Sequence, residues 1–360
     1  MIPDEEQEQE QEHAITTCIE RYEGLTRQRA EEIIRHITTL RAGVIGDVCL
    51  DVYWEADMSR STLSRETPHY TLPIVEERFS PGAAGNVAAN LKELGCREVF
   101  VCSVTGQDWR GELLKSEFAQ RQIDTSLLIA SSSWHTPAYC KPIRVGLQQV
   151  RQEDPRLDFQ NFQPMSSSME AELIERLDQM MEQVDIVAVT DQLPNGVIGQ
   201  EIRNRLAVWA DRGKKIVVDS RNNIGAYQGV IVKPNEVEAS RWFDPIAEVR
   251  EQSSQHWAET ALRLSNAVNG VCCMTLGSEG ALWAEREHCI FVPTRAVEPP
   301  IDIVGAGDAF ASALLSALGA GSTGPEAMAF AHIASSIVIR KIGTTGTASP
   351  QEMIQQLSSS

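Results

Sequence analysis

The residues with the most chemistry to offer in this 360-residue chain lie in the string Asp302-Ile303-Val304-Gly305-Ala306-Gly307-Asp308. Apolar residues follow at Phe310, Ala313, Leu314, Ala317 and Leu318 and stop at Gly319, a helical spacing that makes the glycines a helix entrance. Backbone N–H groups at residues 305–308 then have no intrahelical acceptor, and the helix dipole adds partial positive charge. Gly305, Ala306 and Gly307 therefore form an expected anion hole, suited to a phosphoryl group in transfer. A carboxylate at such a place repels the anion it should help to hold. The conflict disappears if Asp308 takes a proton from a substrate hydroxyl while neighbouring N–H groups stabilise the moving phosphoryl. The plainer alternative is an acidic first-turn residue that complements the helix dipole.

Two further stretches carry polar residues at places where a ligand would meet them. Gly46-Asp47-Val48-Cys49-Leu50-Asp51 leaves a buried-strand pattern, and a carboxylate there, Asp51, can accept two sugar hydroxyls at once or simply form a turn. Pro81-Gly82-Ala83-Ala84-Gly85-Asn86 opens an apolar helix; Gly82 allows close backbone approach, and Asn86 offers both a donor and an acceptor to a polyol. Lys141, Arg144, Arg151 and Arg156 form a basic cluster, with Arg65 in another segment. They suit a phosphomonoester as forked and point partners, or they are solvated surface charge among Glu153, Asp154 and Asp158. The seven histidines show neither metal-ligand spacing nor a partnered nucleophile.

The elements that must position these residues alternate. Strand patterns at Gly43–Ile45, 99–104, 184–190, 215–219, 229–232 and 271–276 are followed by helical patterns near 85–95, 110–121, 169–182, 197–212, 255–268, 307–319 and 324–340. Such alternation predicts an α/β fold, a doubly wound, mostly parallel sheet with helices on both faces and ligands at the carboxyl ends of the strands. Residues 52–80 and 135–160 break the pattern with short extended runs; they pair into a small β-sheet lid over the strand ends or stand as separate hairpins. Residues 1–13 are an acidic tail expected to be disordered, residues 14–40 a helical extension, and residues 41–360 the main domain.

A net charge of −18 argues against a nucleic-acid partner, and no apolar run reaches the roughly 18 residues that a membrane span needs. Eight cysteines without a C-x-x-C pair, in mostly apolar runs, read as reduced core residues, and the acidic start is unlike a signal peptide. The expectation is a cytoplasmic protein.

Taken together, these segments resemble the PfkB, or ribokinase-like, carbohydrate kinases, and within them the heptose 7-phosphate kinase half of bifunctional ADP-heptose synthases. The resemblance runs from about Val44 to Pro350 and rests on Gly46 to Trp54, Val75-Glu76-Glu77-Arg78, Pro81-Gly82, Arg156-Leu157-Asp158-Phe159, Lys233-Pro234-Asn235-Glu236-Val237-Glu238, Thr275 to Gly280, the Asp308 string and Lys341-Ile342-Gly343-Thr344. It implies a ribokinase-like fold and an ATP-dependent, Mg²⁺-requiring transfer to a sugar hydroxyl, with heptose 7-phosphate at its anomeric position the favoured acceptor. Alternatives are a kinase of another sugar or of a nucleoside, and a nucleotide- and sugar-binding regulator without turnover. Asp308 would be the base, and Asp51, Gly82, Asn86, Lys141, Arg144 and Arg151 would hold the acceptor. Lys233, Asn235, Glu238, Thr275, Gly277, Gly280 and His332 would border ATP; Asn235 and Glu238 would organise Mg²⁺, partly through water. Asp302, with the region around Gly343, would flank a monovalent cation such as K⁺. Apart from the resemblance, the apolar lid residues Leu72, Ile74 and Val145 need cover, so the lid is expected to make a homodimer interface or to close on substrate. The sequence departs from the family at Gly82-Ala83, usually Gly-Gly; at Ile303, commonly Thr; at His332, often Asn; and at Asn195, where heptose kinases more often carry Lys.

Overall fold

Alternate residues of each central strand are buried on opposite sides, which is what a sheet covered on both faces requires. Val44, Val99, Val101, Ile186 and Ala188 belong to one apolar cluster; Ile45, Phe100, Cys102, Val187 and Val189 belong to the other. A computed structural model describes residues 19–146, 148, 150–246, 252–343 and 345–358. Among them, ten strands form the main sheet, in the spatial order Ile19–Arg21, His288–Pro293, Gly280–Glu285, Val271–Thr275, Ile231–Val232, Lys215–Ser220, Ile186–Asp191, Arg41–Gly46, Glu98–Gly106, Leu128–Ser131. Neighbours run parallel except around Gly280–Glu285, which is antiparallel to both of its partners.

Helices Ala84–Glu93, Ala306–Gly319 and Gly324–Val338 cover the first cluster; Ser167–Gln183, Gln200–Asp211 and Ser254–Ala267 cover the second. The doubly wound expectation is met, with the parallel order broken by the hairpin of 280–285 and 288–293. Helices Glu236–Phe243 and Pro350–Ser358 were not among the expected ones, being short segments whose apolar spacing is too brief to read.

The two interrupting stretches do meet. Val48–Asp57, Ile74–Ala83, Ala138–Val145, Arg151–Glu153 and Leu157–Phe159 form a second, five-stranded sheet. Val48–Asp57 is its centre, antiparallel to 74–83 and parallel to 138–145. That strand starts two residues after the core strand Arg41–Gly46, so the small sheet rises from the carboxyl ends of the main one.

The stretch expected to be helical over 14–40 differs. Residues 19–21 form an edge strand paired with 289–291, and only Arg27–Ile37 is helical, capped by the Thr26 hydroxyl. Ala30, Ile33 and Ile37 are fully buried in the main core, so the segment packs as part of the domain; the exposed N–H and C=O row of 288–293 supplied a partner that periodicity does not reveal. The acidic tail expected over residues 1–13 lies outside the described residues.

Candidate active site

Strand ends gather the buried polar residues. Asp47, Asp191, Asp219 and Lys233 lie at or just past the carboxyl ends of central strands, and Asp51 near the start of the small-sheet strand Val48–Asp57 that rises from them. Asp47 has a structural task, its carboxylate accepting N–H groups from Gln192, Leu193 and Val197 at 2.7–2.9 Å. Burial, opposed by those bonds, pushes its pKa up to about 6. Asp191 accepts hydroxyls from Ser220 and Tyr227 and the Asn223 amide.

Above them, helix Ala306–Gly319 begins at Gly305, whose left-handed φ of 81° suits glycine. Small residues let this helix lie tightly in the core: a Cβ on Gly319 would come 2.6 Å from Ile186. Ala306, expected among the anion-hole donors, instead gives its N–H to Ile303 O at 3.2 Å and closes the turn. Among the described residues the N–H groups of Gly305, Gly307 and Asp308 bond no acceptor, and these are the donors left for a phosphoryl group.

Asp308 is part-buried in the cleft and accepts a hydrogen bond from Asn86 Nδ2 at 2.7 Å. Asn86 is held in turn by Asn90 Nδ2, which donates to its backbone O (2.9 Å) and to Oδ1 (3.2 Å). Burial pushes the Asp308 pKa up to about 7; the Asn86 bond and Lys233 work against this, and Asp219 and Asp51 with it. A carboxylate tuned to about 7 is matched to proton abstraction near neutrality.

On one side of Asp308 lies the base of the lid. Gly82 packs against Asp51 so closely that a Cβ there would meet its carboxylate at 3.0 Å. Asp51 lies opposite Ser80 and Tyr139 in register, and burial raises its pKa against the charges of Lys141 and Arg156. Lys141 pairs with Tyr53, its Nζ 3.5 Å from the phenol oxygen and 4.9 Å from the ring centre.

Arg144 and Arg151, expected beside the acceptor, are not brought to Asp51. Register puts Arg144 opposite Ala56, and strand alternation turns that pair to the other face from Asp51 and Tyr53. Its guanidinium is engaged by Asp154, at 2.8 Å through Nε. Arg151 shares the Asp51 face but lies near the far end of the sheet, ion-paired with Glu55. Arg65 is exposed in the loop between two lid strands. Arg156 does reach the site, stacked 4.2 Å over Tyr139 and bidentate to Asp158.

On the other side a cavity of about 490 Å³ runs from Gly307 to His332. Lys233, Asn235, Thr275, Gly277, Gly280 and His332, all expected at the nucleotide, line it together; Glu238 does not, and Glu236 does. Lys233 is buried, ion-paired to Asp219 at 3.1 Å, and its Nζ would lie 3.8 Å from a Cβ on Gly307. Its pKa is raised because Asp219 and Glu238 outweigh the cost of burial.

Asn235 and Glu238 form a reciprocal capping box for helix 236–243, with bonds of 2.8 and 2.9 Å. The Asn-x-x-Glu spacing thus has a structural cause of its own. Gly280 has one too, since a Cβ would meet Val292 O at 2.3 Å. Burial lowers the His332 pKa to about 4, and among the described residues its Nε2 has no hydrogen-bond partner. Asp302 accepts N–H groups from Val304 (3.1 Å) and Gly343 (3.0 Å), so the two segments expected to flank a cation do meet.

Sequence reading missed Asp219 and Asn90. Asp219 closes the apolar strand Ile216-Val217-Val218 and Asn90 is four residues beyond Asn86, signals that were present but not distinctive. Of the described cysteines, all are buried and free; Cys18 lies outside the described residues. No helix among the described residues is long and apolar enough to cross a membrane.

Comparison with known proteins agrees with this arrangement. The chain is 29% identical over 338 residues to the bifunctional protein HldE of Trichlorobacter lovleyi, covering 93% of this chain and 66% of that one. It is 30% identical over 333 residues to the HldE of Geobacter metallireducens, covering 92% and 65%. The chain therefore spans slightly less than two thirds of these relatives. Among solved structures, phosphofructokinase-2 of Escherichia coli in complex with potassium superposes with a TM-score of 0.68 at 20% identity, over 89% of this chain and 99% of that one. Arabidopsis thaliana ribokinase complexed with ribose and ATP gives 0.65 at 17%, with the same coverage. These likenesses identify the fold as ribokinase-like. The model of the pfkB family carbohydrate kinases matches residues 50–352, and the chain belongs to that family.

Proposed function

We propose that the chain transfers the γ-phosphoryl of ATP to a sugar hydroxyl, with Asp308 as the base and heptose 7-phosphate as the acceptor. The observation that carries the reading is the Asn86–Asp308 bond of 2.7 Å at a helix entrance that opens on the 490 Å³ cavity. Asn86 fixes the carboxylate, and Asp308 Oδ1 is left to accept the acceptor's proton. The resulting alkoxide attacks the γ-phosphorus in line while the Gly305, Gly307 and Asp308 N–H groups and Lys233 neutralise charge on the phosphoryl oxygens. Asp51 orients neighbouring hydroxyls.

The oxygen donors beside the cavity fit Mg²⁺, which takes one or two carboxylates and keeps several waters. Glu238 spends one carboxylate oxygen on the Asn235 N–H and retains the other, and Asn235 keeps a lone pair on Oδ1. Held by Asn235 and Glu238, partly through water, Mg²⁺ would supply positive charge to the nucleotide phosphates. Asp302 would hold K⁺ beside the 302–343 turn. The heptose assignment draws on the likeness to the HldE proteins.

The small sheet also offers a homodimer surface. Ile74–Ala83 is its edge strand, with Ile74 41% and Val75 56% exposed, and an unpaired apolar edge favours a second copy. ATP consumption by purified protein with heptose 7-phosphate tests the activity; no sugar-dependent turnover with any sugar or nucleoside refutes it.

A further inference from the structure

Phosphoryl transfer needs the acceptor, lying on Asp51, and the phosphoryl group, lying on the Gly305 entrance, to be held at a fixed distance. A misplacement of 1 Å costs roughly 100-fold in rate. Asp51 belongs to the small sheet and Gly305 to the main domain, so neither element sets their separation by itself.

One side chain spans the two. Thr345 lies in the connection between helices Gly324–Val338 and Pro350–Ser358, and the chain is pinned on both sides of it. Before it, the Gly343 N–H donates to Asp302 at 3.0 Å. After it, Thr347 O accepts from Lys341 Nζ at 2.6 Å, and that ammonium is ion-paired with Glu352 at 2.7 Å. Thr345 Oγ1 lies 3.1 Å from Ser80 Oγ, in a part-buried hydroxyl pair. Ser80 is opposite Asp51 in register and shares its strand face with Gly82, which packs on that carboxylate. The remainder of the Thr345 side chain meets the helix entrance: a Cβ on Gly305 would lie 3.8 Å from Thr345 Cα and Cγ2, and 3.2 Å from Asn86 Nδ2. Gly305 is thus set against two residues that are both tied to strand Ile74–Ala83. Thr345 is tied through Ser80, and Asn86 through the helix that continues the strand at Ala84.

Threonine suits this place because branching at Cβ restricts χ1 and holds the hydroxyl and the methyl in fixed relation. Serine lacks the methyl and valine lacks the hydroxyl. We propose that Thr345 is a positioning residue that sets the distance between the acceptor floor and the helix entrance, its hydroxyl held on Ser80 beside Asp51 and its methyl side bearing on Gly305. This rests on the kinase reading and adds a residue that the phosphoryl transfer itself does not use.

Thr345→Val, Thr345→Ser, Ser80→Ala and the double variant Thr345→Val/Ser80→Ala test it. With heptose 7-phosphate as acceptor, Thr345→Val and Ser80→Ala should each raise KM for the sugar about fivefold, the size of one neutral hydrogen bond. The double variant should be no worse than either single one, because all three delete the same bond. Thr345→Ser should keep the sugar KM and lower kcat about tenfold, since Gly305 loses the methyl it rests on. ATP affinity should be unchanged throughout. Additive losses in the double variant, a loss on ATP instead, or wild-type kinetics in both Thr345 variants overturn the assignment. Hydrogen exchange without ligands separates this from the kinase reading: amides of residues 78–82 and 303–307 should exchange faster in Thr345→Val than in wild type. That change in a protein without sugar-dependent turnover supports the tie and refutes the kinase reading, whereas turnover with unchanged exchange does the reverse.

Discussion

Replacing Asp308 with Asn should make the protein more stable and almost inactive, and the two effects have one cause. The carboxylate is placed where its charge costs energy: its folded pKa is about 7 against 3.8 for the free group. Three units of difference correspond to a ceiling of about 4 kcal/mol. Asp308 faces the cleft, where water relieves part of the penalty, so half that value, about 2 kcal/mol, is a working magnitude. For a raised carboxyl pKa the native state binds the proton more tightly, so stability is fully present below about 4 and is lost as pH rises through 7. Asn cannot ionise and escapes that loss. With an unfolding entropy of roughly 2 cal/mol/K per residue over 360 residues, Tm of the variant should exceed wild type by about 3 °C at pH 8 and by nothing at pH 3.5. Turnover should fall by about 10²- to 10⁴-fold, the usual contribution of a positioned base. Scanning calorimetry across pH and kcat on the same preparation decide it. Near wild-type kcat removes Asp308 as the base, and equal Tm at every pH removes the buried-charge argument.

In wild type, kcat/KM should rise about tenfold per pH unit up to about 7 and then level, because only the ionised Asp308 accepts a proton; a profile flat from pH 5 to 8 contradicts this. Asn86→Ala deletes the bond that stabilises the carboxylate, so the kinetic pKa should move upward and kcat should fall, both readable from one pH series. Lys233→Met leaves Asp219 buried without its 3.1 Å partner and should cost about 3–5 kcal/mol by urea unfolding, with a raised KM for ATP. Gly305→Ala puts a side chain at φ 81°, costing about 1–2 kcal/mol, and sets a Cβ 3.2 Å from Asn86 Nδ2; kcat should drop while nucleotide affinity is kept. Light scattering at rising concentration should show a dimer, and Val75→Lys on the lid edge should give a monomer.

Much of this was legible in the chain because it depends on short-range order. The 3.6-residue period after Gly307 and the apolar runs at 99–104, 184–190 and 215–219 report their own burial, and a glycine-rich helix entrance carries its donors with it. Asp308, Asp51 and Gly82 therefore stood out by type and spacing, whereas Lys233, Asn235, Thr275, Gly277, Gly280 and His332 were singled out only by the family resemblance. The strand at 19–21 was not, because an edge strand is defined by the partner at 289–291, some 270 residues away. The parity of Arg144 was not either: a lysine or arginine reads the same on either face, and only the register Asp51↔Tyr139 fixes which face it takes. Residue types and local periods determined the class of chemistry and the layered fold. Tertiary structure alone decided which charges are neutralised by which neighbours, as at Arg144–Asp154, Arg151–Glu55 and Lys233–Asp219, because ion pairing depends on distances that strand pairing sets and sequence spacing does not.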